Sequence, residues 1–300
     1  MPDRGHSFRY EVMRTYPQRG PLQQYRLAAA TGFICSRCGI GKTSKLVTVV
    51  QDDWDRLLCN GCYGLLLSIW EIKAGSLEEG SRDAALIELL AAATPADEVR
   101  RAQSRLIASA PHHGLLSDDA QLMLATAHAV TPALRNATGL DWSVAIICLC
   151  KAVEIEVVHR IVEPLRLAAR GQDLTVDAKD NDFSRVARYC EGTLPEPELG
   201  PLARFLRTAA NSKKRAETSV LVAALRTTVK AWPSADWLFA KGGFTDAIDR
   251  LRLECRNPAA HITLLSEEDF KRCADLVHGQ DGLLWHLIVA TSRSHRVRLR

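Results

Sequence analysis

The sequence predicts a mainly α protein, a helical bundle preceded by a small zinc-binding module of treble-clef or ribbon type. Three observations predict it. Two C-x2-C pairs, Cys35/Cys38 and Cys59/Cys62, stand 20 residues apart near the start of the chain. From about Ser81 onward, apolar residues recur at helical rather than alternating spacing. The breaks in that pattern fall at helix-stop and helix-start residues such as Pro95, Ser117, Gly171 and Ser266.

A chain of 300 residues, 47% hydrophobic and 25% charged, can bury a sizeable core in one large domain or two unequal ones. No run of 18 apolar residues occurs, and "MPDRGHSFRYEVMRTYPQRG" is too polar for a secretion signal, so a cytoplasmic protein without membrane contact is expected. The formal net charge is only +4, but arginines gather at both ends. Arg4, Arg9, Arg14, Arg19 and Arg26 mark residues 1–30 as a basic arm, and Arg293, Arg296, Arg298 and Arg300 mark 293–300 as a basic tail. Between them the expected parts are a four-cysteine module (31–75), a helical linker (76–118) and a helical domain (119–292).

The nine cysteines sort by spacing. Each C-x2-C turn can aim two thiolates at one ion, so Cys35, Cys38, Cys59 and Cys62 supply the four sulfurs of a closed, tetrahedral structural zinc site. Four protein ligands leave no position for an activated water, and no catalytic metal is expected. Cys148, Cys150, Cys190, Cys255 and Cys273 are spread through apolar helical sequence and read as core. Between the pairs, "KLVTVV" and "RLL" flank the turn "QDDWD" as a hairpin, and "YGLLLSIWEI" has helical spacing. "GIGKTSK" at 39–45 imitates the end of a phosphate-binding P-loop, but Ser36 occupies the position of its first glycine and a β-branched run follows, which excludes that motif.

Further along, "SRDAALIELLAAATPADEVRRAQSRLIASA" reads as two helices broken at Pro95, with His112 and His113 in an exposed loop beyond them. Ser117 then caps "DDAQLMLATAHAV". The longest element is "DWSVAIICLCKAVEIEVVHRIVEPLRLAARG", with Val144, Ile147, Val153, Val157, Ile161 and Leu165 on one face and a kink expected near Pro164. After the polar loop "GQDLTVDAKDND" come helices around 183–191, 199–211, 216–231 and 244–257, and "SEED" opens a final capped helix.

The segment "RNPAAH" joins the last two helices and places Arg256 and His261 five positions apart with Asn257 between them. Pro258 disfavours helical geometry at Asn257, so a helix end and turn are expected there. Histidine titrates near neutral pH and can move a proton, and a guanidinium offers a charged fork to phosphoryl oxygens. With the long helix carrying "CLCKAVEIEV", this segment resembles the HEPN superfamily of helical bundles, whose hallmark is Arg, a polar residue, a short spacer and His. The resemblance spans roughly residues 119–292.

The resemblance implies a HEPN-like fold and a metal-independent endoribonuclease acting as a homodimer. Arg256, Asn257 and His261 would form the catalytic set, with Lys151 and Glu154 in supporting positions and Glu154 within reach of Arg256. RNA would be cut by its own 2′-hydroxyl to leave a 2′,3′-cyclic phosphate. The setting implied is a bacterial toxin or phage-defence effector with a sensor, antitoxin or activating protein as partner. The competing expectation is a non-catalytic zinc-finger adaptor whose helical domain dimerises or binds RNA or protein.

Overall fold

The computed structural model describes residues 10–36, 40–75, 79–135, 141–233, 235–260 and 264–291. It is mostly helical, with one small antiparallel sheet at the N-terminal end. That sheet is a meander of β1 (Val12–Thr15), β2 (Leu22–Ile34), β3 (Gly41–Val50) and β4 (Asp53–Leu58). The β3–β4 turn is tighter than expected from "QDDWD": only Gln51 and Asp52 form it, with φ of 53° and 59°, the left-handed pair that matches strand twist in a two-residue hairpin. Gly41–Val50 is strand throughout, as rejection of the P-loop requires.

The expected basic arm is not separate from the module. Its described part, from Tyr10, contributes β1 and most of β2, because Leu22 and Leu27 alternate into the sheet's two apolar faces. The register between β2 and β3 shifts between Arg26 and Thr31, and a shift of this kind bends and twists a sheet. One face packs Leu22, Val50 and Leu58 against Cys35, Cys62 and the helix α1 (Asn60–Ala74). The other packs Leu27, Val47, Val49 and Leu57 beneath Tyr10, Tyr25 and Trp54, whose rings contact one another.

The segment expected as a linker is also part of the packed body. Helix α2 (Glu79–Ala93) buries Leu86 in the main core, and α3 (Ala96–Ser109), which starts after Pro95, packs on α4 (Asp118–Ala129). Ser117 caps α4 through Ala120 N–H, as expected. A short 3-10 helix at Pro111–Leu115 lies between them, and α5 (Thr131–Arg135) follows.

The core is organised around α6 (Ser143–Val157). The sequence suggests one apolar face, but nearly every residue of α6 is buried, because α2, α4, α10 (Leu199–Asn211), α16 (Glu267–His278) and α17 (Leu283–Thr291) surround it. Its chain direction continues through a π turn, Val158–Val162, into α7 (Glu163–Ala168). The polar loop expected after Gly171 contains a short helix, α8 (Thr175–Lys179), before α9 (Ser184–Cys190). The helix expected over 216–231 is divided at Ser219, which caps α12 (Val220–Val229) after α11 (Lys213–Thr218). Two helices, α13 (Ala235–Phe239) and α14 (Phe244–Arg250), lead to a second π turn, Leu251–Arg256, and α15 (Asn257–Ala260).

The two π turns answer the two prolines. Glu163 N–H bonds to Val158 O and Asn257 N–H to Arg252 O, each an i→i−5 bond made by the residue directly before a proline. A proline ring clashes with the carbonyl four residues back, and the wider turn relieves that clash without ending the helix. Helical geometry therefore continues past Pro258 to Ala260, with Asn257 at φ −62° and ψ −49°, in place of the helix end expected at 257.

Buried carboxylates hold the helix starts. Glu154 Oε2 accepts Leu199 N–H at 2.7 Å, Glu156 Oε1 accepts Ser117 N–H at 2.7 Å, and Asp177 Oδ2 accepts Leu221 N–H at 3.1 Å. Each carboxylate satisfies an N–H without an intrahelical partner and places negative charge at the positive end of a helix dipole. The "SEED" signal forms a full capping box between Ser266 and Asp269.

Candidate functional site

Three of the four expected metal-ligating cysteines converge. The sulfurs of Cys35, Cys59 and Cys62 all lie within 4.8 Å of one another. Cys35 follows β2, its N–H bonds to Ile40 O at 3.1 Å to close the first knuckle, and Cys59 N–H points at Cys35 Sγ from 3.3 Å. Cys59 is the N-cap of α1 and Cys62 lies in its first turn, so the helix dipole favours thiolates there. Sulfurs bound tetrahedrally at about 2.3 Å from one ion sit roughly 3.8 Å apart, and the cluster is compact enough to be drawn into that geometry. The cluster can therefore hold a metal ion. Cys38 lies outside the described residues.

The second π turn carries Arg256, which is only 4% exposed, and packs against α6. Asn257 is half-buried at the start of α15. His261 lies outside the described residues. Arg82, from α2, donates from Nη1 to Ala260 O at 3.0 Å, so a guanidinium from the expected linker reaches the residue next to His261. Nothing in the sequence signals that contact across 178 positions.

Lys151 and Glu154 pair with each other on α6. Glu154 is also committed to the α10 start through Leu199, which gives it a structural task apart from any role beside Arg256. Lys151 lines a cavity of about 490 Å3 beside the first π turn, together with Ser117, His159 and Glu163. Tyr189 donates its hydroxyl to Glu163; burial first, and that bond second, push the phenol well above its ordinary range.

A histidine cluster joins the 3-10 helix to α4 and α16. His113, expected in an exposed loop, is 3% exposed, with Nδ1 3.0 Å from Leu106 O. His128 Nε2 and His278 Nε2 are 2.8 Å apart, and the His113 ring lies edge-on to His278. Burial, then the neighbouring imidazoles, lower His278 to about 3; burial, then His113, Arg105 and Arg135, lower His128 to about 4. At neutral pH both are uncharged, sharing one hydrogen bond. Trp142 and Trp232 are buried beside this region and further along the core. Lys213 and Lys214 of "SKKRAE" are exposed, while Arg215 pairs with Asp180 at 2.6 Å.

Comparison with known protein families, curated proteins and solved structures gives no match to this chain. What sequence and fold define is a mainly helical protein with an N-terminal antiparallel sheet and a cysteine cluster able to hold a metal ion. Among the described residues no helix is long and apolar enough to cross a membrane.

Proposed function

We propose that this protein is a metal-independent endoribonuclease of HEPN type whose N-terminal cysteine cluster binds a structural zinc ion. The observation that carries the reading is the segment "RNPAAH": Arg256 and Asn257 close a π turn against the central helix, and Arg82 reaches the carbonyl that precedes His261. π turns inserted in α-helices are frequent at functional sites. The zinc reading rests on the all-sulfur donor set, with Cys38 supplying the fourth ligand by its spacing from Cys35. Zinc bound there would act as a cross-link between the β-sheet and α1.

In the reaction, His261 takes the proton of a ribose 2′-hydroxyl as that oxygen attacks the adjacent phosphorus. The bond to the 5′-oxygen breaks, that oxygen is protonated by the second histidine of a homodimeric site, and a 2′,3′-cyclic phosphate and a 5′-hydroxyl remain. Arg256 stabilises the charge gathering on the non-bridging oxygens, and Asn257 orients the phosphate or the histidine. Lys151 and Glu154 support the segment from α6. The biological setting that goes with this chemistry is a cytoplasmic toxin or phage-defence effector restrained by a protein partner.

Burial of Arg256 to 4% exposure favours a second reading, in which the arginine is a structural strut and the protein is a zinc-finger adaptor that dimerises or binds RNA or protein without chemistry. Purified protein, mixed with RNA and matched DNA in the absence of magnesium beside Arg256→Ala and His261→Ala, separates the two. The ribonuclease reading expects RNA cleavage only, cyclic phosphate ends, and loss of cleavage in both variants with their folds intact. Equal cleavage by the variants would overturn it.

A further inference from the structure

The cavity of about 490 Å3 beside the first π turn has an apolar floor and an acidic rim. Ile87, Met123, Ile155 and Val158 make the floor. Asp119, Glu163 and Glu196 reach the rim from three parts of the chain: the first turn of α4, the start of α7 and the loop before α10. Lys151 is the only lysine or arginine in the lining, and Glu154 matches its charge. Glu163 is matched by Arg166 at 3.4 Å, whereas Asp119 and Glu196 are exposed and form no salt bridge among the described residues. The cavity therefore carries unmatched negative charge over apolar surface, and its size is that of a ligand site.

Helix α17 ends next to it. Thr291, the last residue of α17, accepts a hydrogen bond from Arg160 Nη1 at 3.3 Å. Arg160 pairs through Nε with Glu156, and Glu156 Oε1 accepts the N–H of Ser117, a lining residue, at 2.7 Å. Both side chains of the Arg160–Glu156 pair are largely buried, so the end of α17 is held two side chains from the cavity wall. Residues 292–300, which lie outside the described residues, read "SRSHRVRLR". Nine residues can span roughly 30 Å when extended, ample to cross from Thr291 into the cavity.

We propose that residues 293–300 dock in this cavity as its occupant. In an extended chain Val297 and Leu299 share one side, which meets the apolar floor, and Arg296, Arg298 and Arg300 share the other. Their long stems let the guanidinium groups bend back to the carboxylates of the rim. No single exposed ion pair would hold the segment. Several pairs together with apolar burial do so, helped by the covalent link to α17, which raises the local concentration of the segment at the cavity. An RNA backbone is repelled by the same carboxylates, so the charge selects a basic peptide.

The test places benzoylphenylalanine at position 299 of the full-length protein, irradiates it and maps cross-linked peptides by mass spectrometry. Links within one chain to the cavity-lining segments of α2, α4 or α6 are expected, with Met123 foremost. Asp119→Lys combined with Glu196→Lys, both at exposed positions, is expected to cut the yield by roughly fivefold or more. Arg296→Glu combined with Arg298→Glu in that background is expected to restore it, which a rim variant that merely misfolds would not allow. A link to any other surface, links that form only between chains when light and heavy copies are mixed, or no link at all would overturn the proposal, and so would an unchanged yield with the rim reversed. None of these readouts depends on nuclease activity.

Discussion

Lys73 Nζ lies 2.7 Å from Asp141 Oδ2, with both side chains almost fully buried, and this pair joins the cysteine-bearing module to the helical body. Lys73 sits in the last turn of α1 and also donates to Ser143 Oγ at 3.0 Å. Asp141 accepts Ser143 N–H at 3.0 Å and Leu265 N–H at 3.1 Å, so one carboxylate fixes the starts of α6 and of the chain entering α16. Removing one partner of a buried pair leaves an uncompensated charge. Asp141→Ala is expected to cost about 3–5 kcal/mol in urea unfolding. A loss under 1 kcal/mol would show that the pair does not hold the two parts together.

Glu154 provides a sharp separation of structure from chemistry. Its carboxylate holds the Leu199 N–H and Lys151, so Glu154→Ala leaves a buried donor unmet and is expected to cost about 2–3 kcal/mol. Because the cost falls on the α10 start, thermal unfolding will report it whether or not RNA is cut. Unchanged stability with abolished cleavage would instead place Glu154 in the chemistry.

Acid should destabilise the protein through His128 and His278. Both are held below the ordinary histidine value, at about 4 and about 3, so between that value and pH 4 the unfolded chain binds more protons than the folded one. Their contribution is fully present above about pH 6.5 and is lost as pH falls toward the folded values, at on the order of 1 kcal/mol per pH unit for each. Urea midpoints measured from pH 7 to 5.5 should fall, and the slope should be shallower in His278→Gln, which cannot charge. An identical slope in that variant would rule out the histidine pair as the cause.

Metal removal should act on the sheet module. With the cluster loaded, one zinc per chain is expected by elemental analysis, falling well below that in Cys35→Ser and Cys59→Ser. Stripping the ion with a chelator should lower the melting temperature, because a structural site binds the folded state and not the unfolded chain. Full zinc content in Cys35→Ser would exclude the cluster as the site.

Gly20 tests whether the N-terminal residues belong to the module. Its φ is +57°, and a methyl group there would overlap the Trp70 indole on α1. Gly20→Ala combines left-handed strain with overpacking and is expected to destabilise by about 1–3 kcal/mol. A neutral effect on unfolding would mean that the β1–β2 turn does not pack on α1.

Local sequence signals suffice where local physics decides. The Pro95 break, the Ser117 cap, the Ser266–Asp269 capping box and the β3–β4 hairpin all appear where side-chain and backbone preferences place them. The cysteine spacing likewise announced a site, three of whose four sulfurs meet. Legibility failed where a residue's role is set by a partner far along the chain. His113 reads from the sequence as an exposed loop residue and is buried against His278; the basic composition of residues 1–30 does not say whether they fold, and Val12–Thr15 and the chain from Leu22 form strands.

The sequence by itself determined the helical class, the caps and the convergence of Cys35, Cys59 and Cys62, because periodicity, capping and knuckle turns act over a few residues. Only the tertiary structure decided that α6 is buried on nearly all sides, that Glu154 and Glu156 bind the starts of other helices, and that Lys73 meets Asp141. It also decided that helix continues through Pro258, by way of a π turn packed on α6. The physical reason is common to all of these: burial and long-range hydrogen bonding are properties of which surfaces meet, and local preference cannot encode which distant surface that will be.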